Sequence, residues 1–170
     1  MSKSILLTYA TRYGSTQEIA EAITATLRQA GLEVDIQPMQ EVKALDSYDA
    51  VVLGAALYST KWHPDAHQFL LDHQEALKQR PVAIFALGPV TSGGVMMQRS
   101  QRQLDKDLEK YLWLKPVALE MFVGKWPAEK LGFLERLASY GNDHRNWEAV
   151  RAWANALALR LQHDKVLHPA

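Results

Sequence analysis

Short apolar runs alternate along this chain with stretches in which apolar residues recur every three or four positions. The first run, residues 5–9, has the length of a buried strand, and the stretch that follows places Ile19, Ile23 and Leu27 on one helical face over about residues 16–30. The same pattern predicts four more strands, at residues 32–36, 48–53, 82–87 and 117–123.

Local signals mark where the intervening helices begin and end. Ser15 and Glu18 have the spacing of a capping box, and Gly31 is a stop signal for the first helix. Pro64 can open a second helix. Apolar spacing predicts two further helices, one carrying Leu104, Leu108 and Leu112 and a final one carrying Trp147, Val150, Ala154, Leu157 and Leu161.

Five strands that alternate with helices predict an α/β fold, a doubly wound parallel sheet with helices on both faces. Such sheets bind ligands at the carboxyl ends of their strands. The loops after the first, third and fourth strands are therefore the candidate binding loops.

Composition supports one globular domain and narrows the class of partner. The 170 residues are 48% hydrophobic and carry 19 basic and 19 acidic side chains, so net charge gives no reason to expect a nucleic-acid partner. The absence of cysteine excludes disulfides, iron–sulfur clusters and thiol nucleophiles. We expect one domain over residues 1–163, a loosely ordered tail at 164–170, no transmembrane segment and a cytoplasmic protein.

The loop after the first strand combines hydroxyl residues with a glycine at a helix start. Gly14 allows close approach to the backbone, Thr11, Ser15 and Thr16 can donate hydrogen bonds, and Arg12 can add a charge. This chemistry favours a phosphate site. The alternative is an ordinary strand–helix turn in which Ser15 only caps the helix. Neither the P-loop nor the G-x-G-x-x-G pattern is present.

The other two candidate loops suit a flat ring. Residues 54–63 bring small residues followed by aromatics, of which Tyr58 or Trp62 can stack on a ring system. Residues 88–94 are rich in glycine and polar residues and can form the opposite wall. The alternatives are a surface loop that covers the next helix, and a plain turn.

His63 and His67 have a spacing that can ligate a metal. The sequence offers no convincing third ligand, so we expect a solvated pair and no metal site. No catalytic set of serine, histidine and aspartate stands out.

Residues 127–146 lie between the last strand and the last helix. On a helix, Phe133, Leu134, Leu137 and Tyr140 would share one face. That face either packs on the domain or is exposed to a partner, a membrane surface or a hydrophobic substrate.

Together, residues 11–16, the loop after the third strand and the fivefold alternation resemble flavodoxin over essentially the whole chain. The resemblance implies a strand order of 2-1-3-4-5 and noncovalent FMN, with the phosphate on the first loop and the ring between the second and third. Residues 9–16 (Tyr-Ala-Thr-Arg-Tyr-Gly-Ser-Thr) and 146–154 (Asn-Trp-Glu-Ala-Val-Arg-Ala-Trp-Ala) look closest to the branch that includes menaquinone-dependent protoporphyrinogen dehydrogenases, which also carry extra sequence before the last helix.

The resemblance also implies a set of cofactor-binding residues by position. The first loop would contribute Thr11, Arg12, Tyr13, Gly14, Ser15 and Thr16. One side of the ring would be lined by Ala55, Ala56, Leu57, Tyr58 and Ser59. The other side would be lined by Gly88, Pro89, Val90, Thr91 and Gly93.

The implied function is that of an FMN-dependent oxidoreductase, linked to protoporphyrinogen or a quinone, with a quinone or porphyrin partner at residues 127–146 and peripheral contact with the inner face of the membrane. Two departures from flavodoxin matter: the loop after strand four has no aromatic, and the chain is neutral where carrier flavodoxins are strongly acidic. The alternatives are an electron carrier that serves a redox partner without turnover of its own, and a flavin-free interaction module.

Overall fold

The five predicted strands form one parallel sheet in a computed structural model that describes residues 2–58, 61–89, 94–125 and 145–163. Its strands are β1 (Ser4–Ala10), β2 (Glu33–Pro38), β3 (Ala50–Tyr58), β4 (Lys61–Trp62), β5 (Val82–Leu87) and β6 (Ala118–Phe122). The parallel strands lie in the order β2-β1-β3-β5-β6, while the two-residue β4 pairs antiparallel with the end of β3. The predicted order is thus confirmed for the five parallel strands, and β4 is an addition.

Helices cover both faces of the sheet, as predicted. They are α1 (Ser15–Gln29), α2 (Pro64–Asp72), α3 (Gln74–Lys78), α4 (Gly94–Leu108) and α5 (Trp147–His163), with a 3-10 turn at Met39–Glu41. Because side chains alternate along a strand, Ile5 and Leu7 of β1 pack on one face with α1 and α5, and Leu6 packs on the other with α2 and α4.

Helix ends follow two of the predicted signals and depart from two. Gly31 ends α1 with a φ of 87°, and Pro64 occupies the first turn of α2. The capping-box prediction is wrong: Gly14 is the N-cap of α1, and no side chain caps it. Leu112 lies beyond the end of α4 and is 85% exposed.

Strand β3 runs five residues further than predicted, through Tyr58. A Cβ on Gly54 would lie 1.9 Å from Cζ of Phe85, so this glycine makes room for a ring on the neighbouring strand β5. The predicted loop therefore begins only after Tyr58. Trp62 is 2% exposed, and its predicted alternative role as a stacking platform for a ring is wrong.

Several predictions lie outside the described residues: Ser59, Val90, Thr91 and Gly93, most of segment 127–146, and the tail 164–170. Within the part of the chain that is described, no helix is both long enough and apolar enough to cross a membrane.

Candidate functional site

The candidate loops meet at the carboxyl edge of the sheet because β1, β3 and β5 are parallel neighbours. Ala10, Ala55 and Ala86 stand in register across the three strands, close to where each ends. The chain leaves this edge at Thr11, Tyr58 and Gly88. The topology thus brings the starts of the three predicted binding loops to one edge of the sheet.

The first loop is shaped by Gly14, whose φ of 86° suits a residue without a Cβ. Its amide donates a hydrogen bond of 2.8 Å to Oγ1 of Thr11. The first bond of the helical ladder runs from the amide of Glu18 to the carbonyl of Gly14, at 3.1 Å. The amides of Ser15, Thr16 and Gln17 precede that bond, so the ladder supplies them with no acceptor.

Two hydroxyls in this loop show whether the residues present suit a phosphate. Oγ of Ser15 and Oγ1 of Thr16 are buried and have no hydrogen-bond partner among the described residues. A buried hydroxyl left unpaired costs about 1–3 kcal/mol, which an acceptor oxygen would offset. Space is open beside Gly14, where a Cβ would meet nothing within 4 Å. Hydroxyls without a described partner, amides that precede the helical ladder and an open approach fit a phosphate group.

Tyr58 ties the second loop to the first. The backbone amide of Arg12 donates to its hydroxyl at 3.2 Å, and the Arg12 guanidinium lies over its ring, 5.2 Å from the centroid. The ring of Tyr13 meets it edge-on, with centroids 6.0 Å apart. Burial raises the pKa of Tyr58 and the contacts with Arg12 partly oppose this, so the phenol is neutral at physiological pH.

The residues predicted to line the ring fall into two groups. Ala55 and Ala56 lie inside β3 and are at most 7% exposed, whereas Leu57 and Tyr58 at the end of the strand are half-buried. Across the edge, Gly88 and Pro89 follow β5 and are also half-buried.

The backbone after β5 is held by its neighbour β6. The amide of Gly88 donates to the carbonyl of Phe122 at 2.8 Å, and the amide of Gly124 donates to that of Pro89 at 3.1 Å. A Cβ on Gly88 would lie 2.8 Å from Sδ of Met121, so this glycine allows close packing as well. These contacts within the protein therefore fix the backbone at the start of the third loop.

A buried carboxylate that the sequence did not single out holds the hairpin of β3 and β4. Asp107 of α4 is 4% exposed and accepts hydrogen bonds from the Trp62 amide at 3.1 Å and from Nζ of Lys110 at 2.6 Å. Burial alone would raise the pKa of Asp107, but these two hydrogen bonds and the neighbouring charges, chiefly that of Lys110, together outweigh it and leave the pKa lowered. The sequence signal that could have identified Asp107 was its position one helical turn after Leu104, on the apolar face of α4.

The expectation of a solvated histidine pair is wrong. Nδ1 of His63 accepts from the amide of Asp65 at 3.2 Å and thereby caps α2, and Nδ1 of His67 lies 2.6 Å from the hydroxyl of Tyr111. Burial lowers the pKa of both histidines, so both are neutral near pH 7. Among the described residues no cluster of histidine, aspartate and glutamate has the makings of a metal site.

Comparison with known proteins identifies the family. The family model described as "Flavodoxin domain" matches residues 6–138, and the chain belongs to that family. This membership confirms the predicted FMN cofactor and a role in electron transfer.

A particular relative is found among curated proteins. Protoporphyrinogen IX dehydrogenase [quinone] of Escherichia coli (strain K12) is 28% identical over 87 residues, which cover 50% of this chain and 48% of the relative. The aligned region thus spans about half the length of that relative.

Solved structures confirm the flavodoxin fold. Oxidised Flavodoxin 2 from Bacillus cereus is 20% identical with a TM-score of 0.58, over 95% of this chain and 99% of that one. A short-chain flavodoxin associated with a non-canonical PDU bacterial microcompartment is 16% identical with a TM-score of 0.63, over 94% and 99%.

Proposed function

We propose that this protein is an FMN-dependent oxidoreductase of the protoporphyrinogen or quinone type. The observation that supports its cofactor site most directly is the pair of buried hydroxyls of Ser15 and Thr16 at the start of α1, which have no partner within the described part of the chain. The more specific part, oxidation of a protoporphyrinogen with a quinone as acceptor, is supported by the partial likeness to the Escherichia coli dehydrogenase.

Different residues at the carboxyl edge of the sheet would bind the phosphate and the ring of the cofactor. Thr11, Ser15 and Thr16 would hold the phosphate with the first amides of α1, since the helix dipole also favours an anion there. The remaining residues proposed for the first loop are Arg12, Tyr13 and Gly14.

The ring of the cofactor would lie between the second and third loops. The half-buried candidates at their starts are Leu57, Tyr58, Gly88 and Pro89. Ala55 and Ala56 inside β3, together with Ser59, Val90, Thr91 and Gly93, complete the proposed set. Bound FMN supplies the redox chemistry, and the chain supplies position and electrostatics. Tyr58 contributes a neutral, hydrogen-bonded phenol whose orientation is set by Arg12.

We further propose that residues 127–146 receive the apolar partner. The leucines and Phe133 of this segment would present or retain a quinone or porphyrin and would allow peripheral contact with the inner face of the membrane. A location in the cytoplasm is part of this proposal. The chain's zero net charge supports a dedicated apolar partner over a freely diffusing shuttle, which would gain from a strong charge.

An electron carrier without turnover of its own is the second candidate. The flavodoxins similar to this chain match it over 94–95% of its length, which supports a carrier architecture. A carrier would bind FMN, would be reduced only by a reductase, and would not oxidise protoporphyrinogen.

The visible spectrum of the purified protein, before and after addition of FMN, tests the cofactor. Yellow protein with a saturable titration supports the proposal, and a colourless protein that ignores FMN contradicts it. Oxidation of protoporphyrinogen coupled to reduction of a soluble quinone then tests the enzyme. FMN binding without this turnover would favour the carrier.

The partner segment is tested by replacing Phe133, Leu134 and Leu137 with serine. We expect quinone coupling to fall while FMN binding is retained. The matched control replaces Leu71, Leu112 and Leu159, which are 58%, 85% and 59% exposed elsewhere on the surface, with serine. Equal loss in both triple variants, or no loss in either, would contradict the proposed role of the segment.

A further inference from the structure

An ion pair joins the last helix to the first turn of α1. Nη1 of Arg145 donates to Oε2 of Glu18, and the guanidinium carbon lies 4.5 Å from the ring centroid of Trp147. The Arg145 side chain is 3% exposed, whereas that of Glu18 is 51% exposed. Burial and stacking on Trp147 therefore fix the arginine side chain, and the more exposed Glu18 side chain extends to it.

The pair lies at the same edge of the sheet as the phosphate loop. At the far end of α5, Gln162 donates to the carbonyl of Ala30 just after α1, and Arg160 donates to the carbonyl of Val117 before β6. Helices α1 and α5 therefore lie side by side with their carboxyl ends together. Arg145, two residues before α5, is consequently placed beside the N-terminus of α1.

The capping box does not form, because Gly14 rather than Ser15 is the N-cap of α1, and the Glu18 carboxylate pairs with Arg145 instead. In a capping box the glutamate carboxylate turns back to the helix N-terminus while the serine hydroxyl bonds the glutamate's amide. Here the Glu18 carboxylate is turned to Arg145, its amide bonds Gly14, and Oγ of Ser15 has no partner among the described residues. The N-terminus of α1 is thus left open to another anion.

We propose that Arg145 is a positioning residue that keeps the phosphate site available by holding and neutralising the Glu18 carboxylate. Without it, a negative charge in the first turn of α1 would compete for the helix N-terminus and repel the phosphate. This inference rests on the proposed binding of the FMN phosphate at residues 11–16. Arg145 acts through Glu18 and determines preference for FMN over riboflavin, which has the same ring without the phosphate.

The test compares FMN and riboflavin affinities by fluorescence titration of the purified full chain. At low salt, Arg145→Met is expected to weaken FMN binding about 2- to 5-fold, the range expected for one charge near a helix terminus, and to leave riboflavin binding unchanged. The loss of FMN affinity in Arg145→Met should become smaller as the salt concentration is raised, because salt screens the repulsion between Glu18 and the phosphate. Arg145→Lys keeps the charge and should bind FMN nearly as the unmodified protein does.

The decisive variant is Arg145→Met combined with Glu18→Ala, which should restore FMN affinity because both charges are gone. If FMN affinity stays low in the double variant, Arg145 acts in another way and the proposal is wrong. Equal weakening of FMN and riboflavin, or no weakening of either, also overturns it. Lys78→Met removes the cation of the remote pair between Lys78 and Glu75 and should change neither affinity.

Glu18→Ala alone covers the case in which Arg145→Met does not fold. With Arg145 no longer neutralised, FMN should bind about 2- to 5-fold more tightly at low salt. Unchanged or weaker binding would overturn the proposal. If the unmodified protein binds riboflavin but gains nothing from the phosphate, or binds neither flavin, the proposed phosphate site itself fails, which is a separate result.

Discussion

Replacing Gly54 with alanine should destabilise the fold through a collision inside the sheet. The added Cβ would lie 1.9 Å from Cζ and 2.5 Å from both Cε atoms of Phe85. Carbon atoms in contact prefer about 3.5–4.0 Å, so the ring would have to move by roughly 2 Å. Phe85 is fully buried and packs against Phe122 and Trp153, with centroids 6.4 and 6.2 Å away, so the ring has little room to yield.

Overpacking of this kind costs typically about 1–3 kcal/mol, and the short distance places Gly54→Ala at the upper end. For a chain of this size each kcal/mol lowers Tm by about 2–4 °C, so a loss of about 3 kcal/mol lowers Tm by roughly 6–12 °C. Urea and thermal unfolding followed by circular dichroism measure both quantities. Gly94→Ala is the control, because a Cβ there would meet nothing within 4 Å.

The collision can be relieved by shortening its partner. Phe85→Leu alone should cost stability by leaving a cavity, but the double variant with Gly54→Ala should be clearly more stable than the sum of the two single effects. Additive losses, or a Gly54→Ala protein within 0.5 kcal/mol of the parent, would refute the assignment of Gly54 to packing.

Three further predictions concern the site and its support. Ser15→Glu should weaken FMN binding at least about tenfold, because like charges about 4 Å apart repel by several kcal/mol near a protein surface; titration with FMN checks this, and unchanged affinity would remove the phosphate assignment. Asp107→Asn should cost about 1–3 kcal/mol of unfolding free energy in urea, since the Trp62 amide and Lys110 lose a buried charged acceptor; an unchanged urea midpoint would contradict the anchoring role. Burial lowers the native pKa of His63 and His67 from 6.5, so the unfolded chain takes up protons first as pH falls. Stability should therefore decline from about pH 6.5 down to the lowered pKa values, and these two histidines should cause no further decline below them. The double variant His63→Gln with His67→Gln should flatten this part of the pH profile, and an unaltered slope would show that other groups cause it.

The apolar pattern was sufficient for the architecture. The fourth strand was predicted to the residue at Val82–Leu87, and the last helix carries the predicted apolar face, with Val150 and Leu157 buried. Such buried, uninterrupted segments have one energetically reasonable arrangement, because burial of their apolar faces dominates the free energy. Pattern failed where a tertiary contact took over: the end of β3 continues because Tyr58 pairs with Lys61 of β4, and local propensity contains no trace of that pairing.

The candidate site divides in the same way. The order of hydroxyl residues and glycine was enough to predict a positive φ at Gly14 and a loop of the phosphate-binding kind, because the strand, the loop and the helix start are contiguous in sequence. The capping box was also legible, yet it does not form: Gly14 caps the helix one residue earlier than predicted, and the Glu18 carboxylate pairs with Arg145, 127 residues away in sequence. The roles of His63, His67 and Asp107 were missed for the same reason: each depends on burial or on a partner that the linear pattern does not name.

The sequence by itself therefore determined the class of fold and, through family resemblance, its strand order and the FMN cofactor. These follow from periodicity and from short contiguous motifs, whose physics is local. Only the tertiary structure decided that Gly54 serves packing and that Trp62 is buried and anchored by Asp107. It also decided that Glu18 pairs with Arg145, while Oγ of Ser15 has no partner among the described residues. Those outcomes depend on which distant residues meet, and the free energy of burying or pairing a polar group is set by that meeting.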